Sequence, residues 1–225
     1  HAPRADMSEW EKMIDNANHL KHTVKIAIVG KYVQLHDAYL SVSESLKHAG
    51  YPISADIDIR WVNSELLTKD NLESQLDGLD GILVPGGFGG RGIEGKIMAA
   101  QYARINKIPY FGICLGMQIA VIEFARNVCG LEGANSVEWD ESSKHPVIHL
   151  MPDQNGVVNM GGTLRLGNWP CKIKDNTKTK SVYKEETILE RHRHRYEVNN
   201  VYRDIMEQHG AVFSGLSPDD YLVEI

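Results

Sequence analysis

The amino-acid sequence predicts an α/β protein built on a mostly parallel central sheet flanked by helices. In the first half, short apolar runs alternate with helix-like stretches, the pattern of strand–helix–strand units joined by right-handed crossovers. Two of those runs end in glycine-bearing turns, Gly86-Gly-Phe-Gly-Gly90 and Gly112-Ile-Cys-Leu-Gly116. Both turns fall at the carboxyl ends of expected strands, where open parallel sheets bind ligands. The second half carries strand-like segments separated by Gly and Pro, which predicts added antiparallel strands.

Residues 1–22 are polar, with one amphipathic stretch from Met7 to Asn16 for which Ser8 is placed as N-cap. They read as a linker helix entering a domain. Val24 to Val29 is the first strand, closed by Gly30. Asp37 to His48 has helical spacing at Ala38, Val42, Leu46 and Ala49, with Gly50 as the expected C-cap. Ile57 to Val62 is the second strand, Asn71 to Leu76 a short helix and Asp80 to Pro85 the third strand. Glu94 to Asn106 is a helix, Ile108 to Phe111 a short buried strand and Gln118 to Arg126 a helix. Further on, Val147 to Met151, Gly161 to Gly167 and Thr187 to Val198 read as strands. Asn199 to His209 is helical, and Val212 to Leu216 and Tyr221 to Ile225 are the last expected strands.

The 225 residues are 42% hydrophobic and 24% charged, an ordinary globular balance. A net charge of −6 argues against a nucleic-acid partner held by electrostatics. No apolar run reaches the roughly 18 residues of a membrane-spanning helix, so no membrane association is expected. The three cysteines, Cys114, Cys129 and Cys171, are odd in number and far apart. They form neither a disulfide framework nor a metal-binding pair, which suits a cytoplasmic protein. His192 and His194 have no third ligand at a sensible spacing, so no metal is expected.

Cys114 has a glycine two residues away on either side, the spacing of a nucleophile elbow with Cys in place of Ser. An isolated intracellular Cys is by default a small buried apolar residue; the glycines and the strand-to-helix context favour a nucleophile instead. A helix N-terminus after the turn favours a thiolate, and the Leu115 N–H is placed to meet an oxyanion. Pro85-Gly-Gly-Phe-Gly89 matches no phosphate-loop spacing, and its glycine N–H groups suit a second oxyanion donor. Glu138 lies in a polar loop, where it is either a solvated carboxylate or a partner for a substrate ammonium group. In Glu190-Arg-His-Arg-His-Arg-Tyr196, strand alternation puts Arg191, Arg193 and Arg195 on one face and His192 and His194 on the other. Such an arginine row suits a carboxylate ligand.

Four segments together resemble the glutaminase domain of the CTP synthase family. They are Pro85-Gly-Gly-Phe-Gly89, Gly112-Ile-Cys-Leu-Gly-Met-Gln118, Met160-Gly-Gly-Thr-Leu-Arg-Leu-Gly167 and Glu190-Arg-His-Arg-His-Arg-Tyr-Glu-Val-Asn-Asn200. The resemblance runs from about Val24 to Ile225. It implies the class I glutamine amidotransferase fold over residues 23–225, with residues 1–22 as interdomain linker. It also implies hydrolysis of L-glutamine through a Cys114 thioester. The ammonia would feed a synthetase domain of the same enzyme, a ligase that uses ATP and Mg2+ to aminate UTP to CTP. By position, Gly87 and Leu115 match the oxyanion-hole donors. Gly87, Leu115, Gly116, Met117, Gln118, Glu138 and Arg195 match residues that hold glutamine. No cofactor is implied in this domain itself. GTP is the family's allosteric activator, binding where both domains are present, and the full-length enzyme is a homo-oligomer, a tetramer.

The family's thiol is served by a His, oriented by a Glu, in a His-Pro-Glu segment that occurs nowhere in residues 1–225; it is expected beyond Ile225. Two rivals share the elbow. One is another class I amidotransferase, against which the Arg-His-Arg-His-Arg-Tyr segment argues. The other is a catalytically silent glutamine-binding or interaction module.

Overall fold

The structure, a computed structural model, describes residues 5–151 and 164–225. The chain forms two units, residues 1–85 with 94–111 and residues 86–93 with 112–225.

The first unit begins with α1 (Ser8–Asn18), which buries none of its side chains. Its N-cap is Met7, not the expected Ser8; Ser8 is already helical, and its N–H donates to the Asp6 carboxylate at 3.0 Å. Strands β1 (His22–Gly30), β2 (Ala55–Asn63), β3 (Gly81–Val84) and β4 (Tyr110–Gly112) form a sheet in the order β2-β1-β3-β4. β1 runs parallel to both β2 and β3, as the alternating pattern requires. Its period-2 alternation serves two apolar layers. Ala27 and Val29 join Val62, Ile82 and Val84 against residues of α3 (Leu72–Leu76) and α4 (Ile93–Asn106), while Ile28 packs with Val33, Tyr39, Val42, Leu46 and Trp61.

The helix expected from Asp37 is split into a 3-10 turn, His36–Tyr39, and α2 (Leu40–Gly50). Gly50 is not its left-handed cap. It has φ −71°, the chain continues as a second 3-10 turn, and the left-handed residue is Ser54 at φ 54°. Glycine is needed at 50 for space, since a Cβ there would lie 2.4 Å from the Ala55 carbonyl oxygen. On α4, Lys96 is only 3% exposed. Burial, with Lys31 beside it, pushes its ammonium down to about 8, and Glu65 offsets this only in part.

The second unit contains α5 (Leu115–Asn127), β5 (Asn135–Ser136), β6 (Pro146–Leu150), β7 (Arg165–Ile173), α6 (Lys178–Tyr183), β8 (Thr187–His194), β9 (Tyr196–Val198), α7 (Arg203–Gln208) and β10 (Gly215–Leu216). Its strands form two sheets, β10-β7-β8 and β5-β6-β9, with antiparallel pairing everywhere except β5 with β6. α5 packs on β5, β6 and β9. Of the strand expected at Gly161 to Gly167, residues 161–163 lie outside the described residues, Leu164 is not in a strand, and β7 begins at Arg165. The single strand expected from Thr187 to Val198 is two strands in two sheets, parted at Arg195. Tyr221 to Ile225 is no strand; it is held by one bridge, Leu216 to Val223, and by backbone hydrogen bonds to Gly215.

Candidate active site

The elbow is built from residues 112–118. A Cβ on Gly112 would sit 2.3 Å from the Gly116 carbonyl carbon, so only glycine lets the chain turn back this closely. Cys114 itself adopts φ 54°, ψ −105°, a conformation rare outside glycine and concentrated at functional sites. α5 follows at once, with the Met117 and Gln118 N–H groups donating to the Cys114 carbonyl.

The glycine-rich loop lies against this turn. Cβ atoms built on Gly86 and Gly87 would fall 3.5 Å from the Cys114 Cβ and the Leu115 Cδ2. Gly89 has φ +76°, which favours glycine. Its N–H donates to Glu138 Oε1 at 2.7 Å, so the Glu138 carboxylate fastens the loop. Trp139 backs Gly90 and donates from Nε1 to Asn135.

Sequence reasoning placed a thiolate-favouring helix end at Cys114. The balance goes the other way: burial pushes the thiol up, with Glu138 and Glu197 adding to the rise, and the Leu115 N–H and the Arg193 charge offset it only in part. Removing an anion from water outweighs one N–H donor and a distant guanidinium. Cys129 is also raised by burial, and Cys171, fully buried, is pushed up to about 11.

The arginine row is also corrected. Alternation holds through β8, with Arg191 and Arg193 exposed and His192 inward. It fails at Arg195, which lies between β8 and β9 and is only 6% exposed. Arg195 therefore does not share a face with Arg191 and Arg193. Its neighbour Tyr196 feels the charges of both Glu138 and Arg195. Gln118 is buried and its Nε2 donates to the Tyr196 carbonyl at 2.9 Å. Gly116 and Met117 occupy the first turn of α5.

A group of charged residues lies in the same unit, of which sequence reasoning had singled out only His192 and His194. Arg165 grips both oxygens of Glu224, at 2.6 and 3.0 Å, and reaches Glu197 Oε1 at 3.5 Å. His194 Nε2 is 2.6 Å from that same oxygen, so it carries the proton between them. His192 Nε2 lies 3.1 Å from Glu224, out of line for a hydrogen bond. Burial and the nearby Arg165 and His194 push His192 down to about 4, leaving it neutral at pH 7. The sequence signals for this cluster were the presence of Arg165, His192, His194 and Glu197 inside two of the quoted segments and the placing of both histidines on one strand face; Glu224 had none. Among the described residues no group of three or more His, Cys, Asp or Glu could hold a metal ion.

The family profile Glutamine amidotransferase class-I matches residues 34–225. The chain belongs to that family. Within it, the chain is 61% identical to the CTP synthase of Halalkalibacterium halodurans over 221 residues, covering 98% of this chain and 42% of that protein. It is 56% identical to the CTP synthase of Bacillus subtilis, with 98% and 41% covered. Among solved structures it is similar to the glutaminase domain of Trypanosoma brucei CTPS with bound acivicin. The TM-score is 0.80 at 44% identity, covering 86% of this chain and 75% of that one. The chain thus spans about two-fifths of the length of the curated relatives it matches, and it is a glutamine amidotransferase domain by family. The glutaminase name and the shared fold come from the trypanosomal structure.

Proposed function

We propose that this domain hydrolyses L-glutamine and that the whole protein is a CTP synthase, aminating UTP with the ammonia released. The observation that carries the reading is the strained Cys114 elbow beside the glycine-rich loop. The Cys114 sulfur attacks the side-chain amide carbon of glutamine. The oxyanion takes hydrogen bonds from the Leu115 and Gly87 N–H groups. As the intermediate collapses, the C–N bond breaks and ammonia leaves with a proton, giving a γ-glutamyl thioester. Water then cleaves the thioester to glutamate and regenerates the thiol. Arg195 pairs with the α-carboxylate and Glu138 with the ammonium group, and Gly116, Met117 and Gln118 form the wall at the head of α5. The proton carrier implied by the family resemblance is the His of His-Pro-Glu, outside residues 1–225.

ATP and Mg2+ would serve the synthetase domain, and GTP would activate at a site that needs both domains. A tetramer is the expected full-length state. The free cysteines suit a cytoplasmic location. A silent glutamine-binding module would keep the same pocket, and the raised Cys114 thiol is the one observation on its side. The two readings separate on Cys114→Ser in the full-length protein. The substitution should abolish ammonia release from glutamine while CTP still forms from added ammonia. Glutamine-dependent activity near wild type would remove Cys114 from the reaction.

A further inference from the structure

Glu197 has no part in the reaction just proposed, yet it lies where the chain leaves one sheet for another. In a continuous strand, side chains three positions apart point to opposite faces and their Cα atoms are about 10 Å apart. His194 and Glu197 are three positions apart and meet at 2.6 Å. That contact requires a bend between them, and the bend contains Arg195. Without it, Arg195 would continue the exposed row of Arg191 and Arg193; with it, Arg195 is buried.

We propose that Glu197 is the positioning residue for Arg195: tied to β8 by His194 and to β7 by Arg165, it fixes the bend that turns the guanidinium from solvent toward the α-carboxylate of glutamine. This rests on the role given to Arg195 above. Two backbone contacts hold the other side of the bend. The Met151 N–H donates to the Arg195 carbonyl at 3.2 Å, and Gln118 donates to the Tyr196 carbonyl. These hold the main chain in place, whereas the His194–Glu197–Arg165 chain links both strands, through a short charge-assisted bond to His194 at 2.6 Å and a longer ion pair to Arg165 at 3.5 Å. Glu197 and His194 are 2% and 12% exposed at their side chains, so water does little to weaken the link.

The charged and titratable groups around Glu197 are Arg165 from β7, His192 and His194 from β8, His149 opposite it on β6, Glu224, and Cys114 at the elbow. Its charge opposes formation of the Cys114 thiolate. A neutral residue of the same size should therefore have two effects of opposite sense: weaker glutamine binding and a thiol that ionises at lower pH. General loosening of the fold would lower kcat and the melting temperature together with binding, whereas lost positioning of Arg195 falls mainly on KM.

The test uses Glu197→Gln, His194→Ala and Arg195→Ala in the full-length protein. KM and kcat for ammonia release from glutamine would be measured, with the pH profile of Cys114 alkylation by iodoacetamide, a neutral reagent that needs no Arg195. Glu197→Gln should raise KM by about tenfold with a smaller change in kcat, the mark of lost binding rather than lost chemistry, and should move the alkylation profile to lower pH. His194→Ala removes the same link at a partly exposed site and should raise KM in the same direction; it decides the matter if Glu197→Gln does not fold. A KM unchanged in both, while Arg195→Ala raises it, overturns the proposal and leaves the glutamine-binding role of Arg195 standing. A KM unchanged in all three overturns both.

Discussion

Cys114 sits at φ 54°, which costs a non-glycine residue on the order of 1–3 kcal/mol, and its surroundings hold it there. The expense is sensible only if the sulfur must be presented in that orientation. The thiol is raised by burial and by Glu138 and Glu197, so the free protein should hold little thiolate near neutral pH. In the proposed pocket, glutamine would bring an ammonium group to Glu138 and cancel one of those carboxylates. Glu138→Ala and Arg195→Ala should therefore each raise KM for glutamine, by an amount corresponding to about 2–5 kcal/mol for a desolvated charge pair, with little change in melting temperature. Glutamine titrations of the two variants check this; an unchanged KM in both, with normal melting, would remove them from the pocket. At this scale the sequence was legible where the signal was local. Gly112, Cys114 and Gly116 announce their turn because the turn's sterics involve only themselves. Arg195 was misplaced because its orientation depends on Glu197 and Arg165, one of them thirty residues away, and period-2 alternation carries no trace of such a contact.

Among the elements, the strands and helices of the first unit follow the sequence reading to within a few residues, because most bury an apolar face of recognisable period; α1 buries none, and β4, expected as a buried strand, is only partly buried, with Phe111 exposed. The caps were less legible. Ser8 and Gly50 had the right residue types for caps and other duties: Gly50 is required by the nearness of the Ala55 carbonyl. Lys96 on α4 was read only as part of a helix, yet it is buried with its ammonium pushed down to about 8. Relative to an ordinary lysine near 10.4, the folded protein holds this proton less tightly than the unfolded chain, which lowers stability below pH 8 by on the order of 3 kcal/mol. The penalty fades as pH rises from about 8 toward the ordinary lysine value, where the unfolded chain loses its proton as well. Lys96→Met should accordingly raise the melting temperature by several degrees at pH 7, and the gain should shrink toward pH 10. Calorimetry at the two pH values decides it; a lower melting temperature at pH 7 would mean that the ammonium is doing more for the fold than burial takes away.

For the whole molecule, composition indicated a globular chain with no membrane-spanning helix, and no helix among the described residues is long and apolar enough to cross a membrane. The α/β class was legible because strand and helix periods differ so clearly. The division into two units was not, since the chain crosses between them three times, on either side of residues 86–93 and at Gly112, and a contact pattern of that kind has no linear signature. Both turns belong to the second unit, together with Glu138 and Arg195, so every residue proposed to touch glutamine lies within one unit.

The most direct measurement of the central claim is the site of covalent labelling by a chloro ketone analogue of glutamine, an alkylating reagent that a glutamine pocket would deliver to its thiol. Full-length protein would be treated with it, digested and mapped by mass spectrometry, with and without excess glutamine. The account predicts one label per chain on Cys114, suppressed by glutamine, with Cys129 and Cys171 unmodified. Label on Cys129 or Cys171 in place of Cys114, or label on Cys114 that glutamine does not suppress, would contradict it.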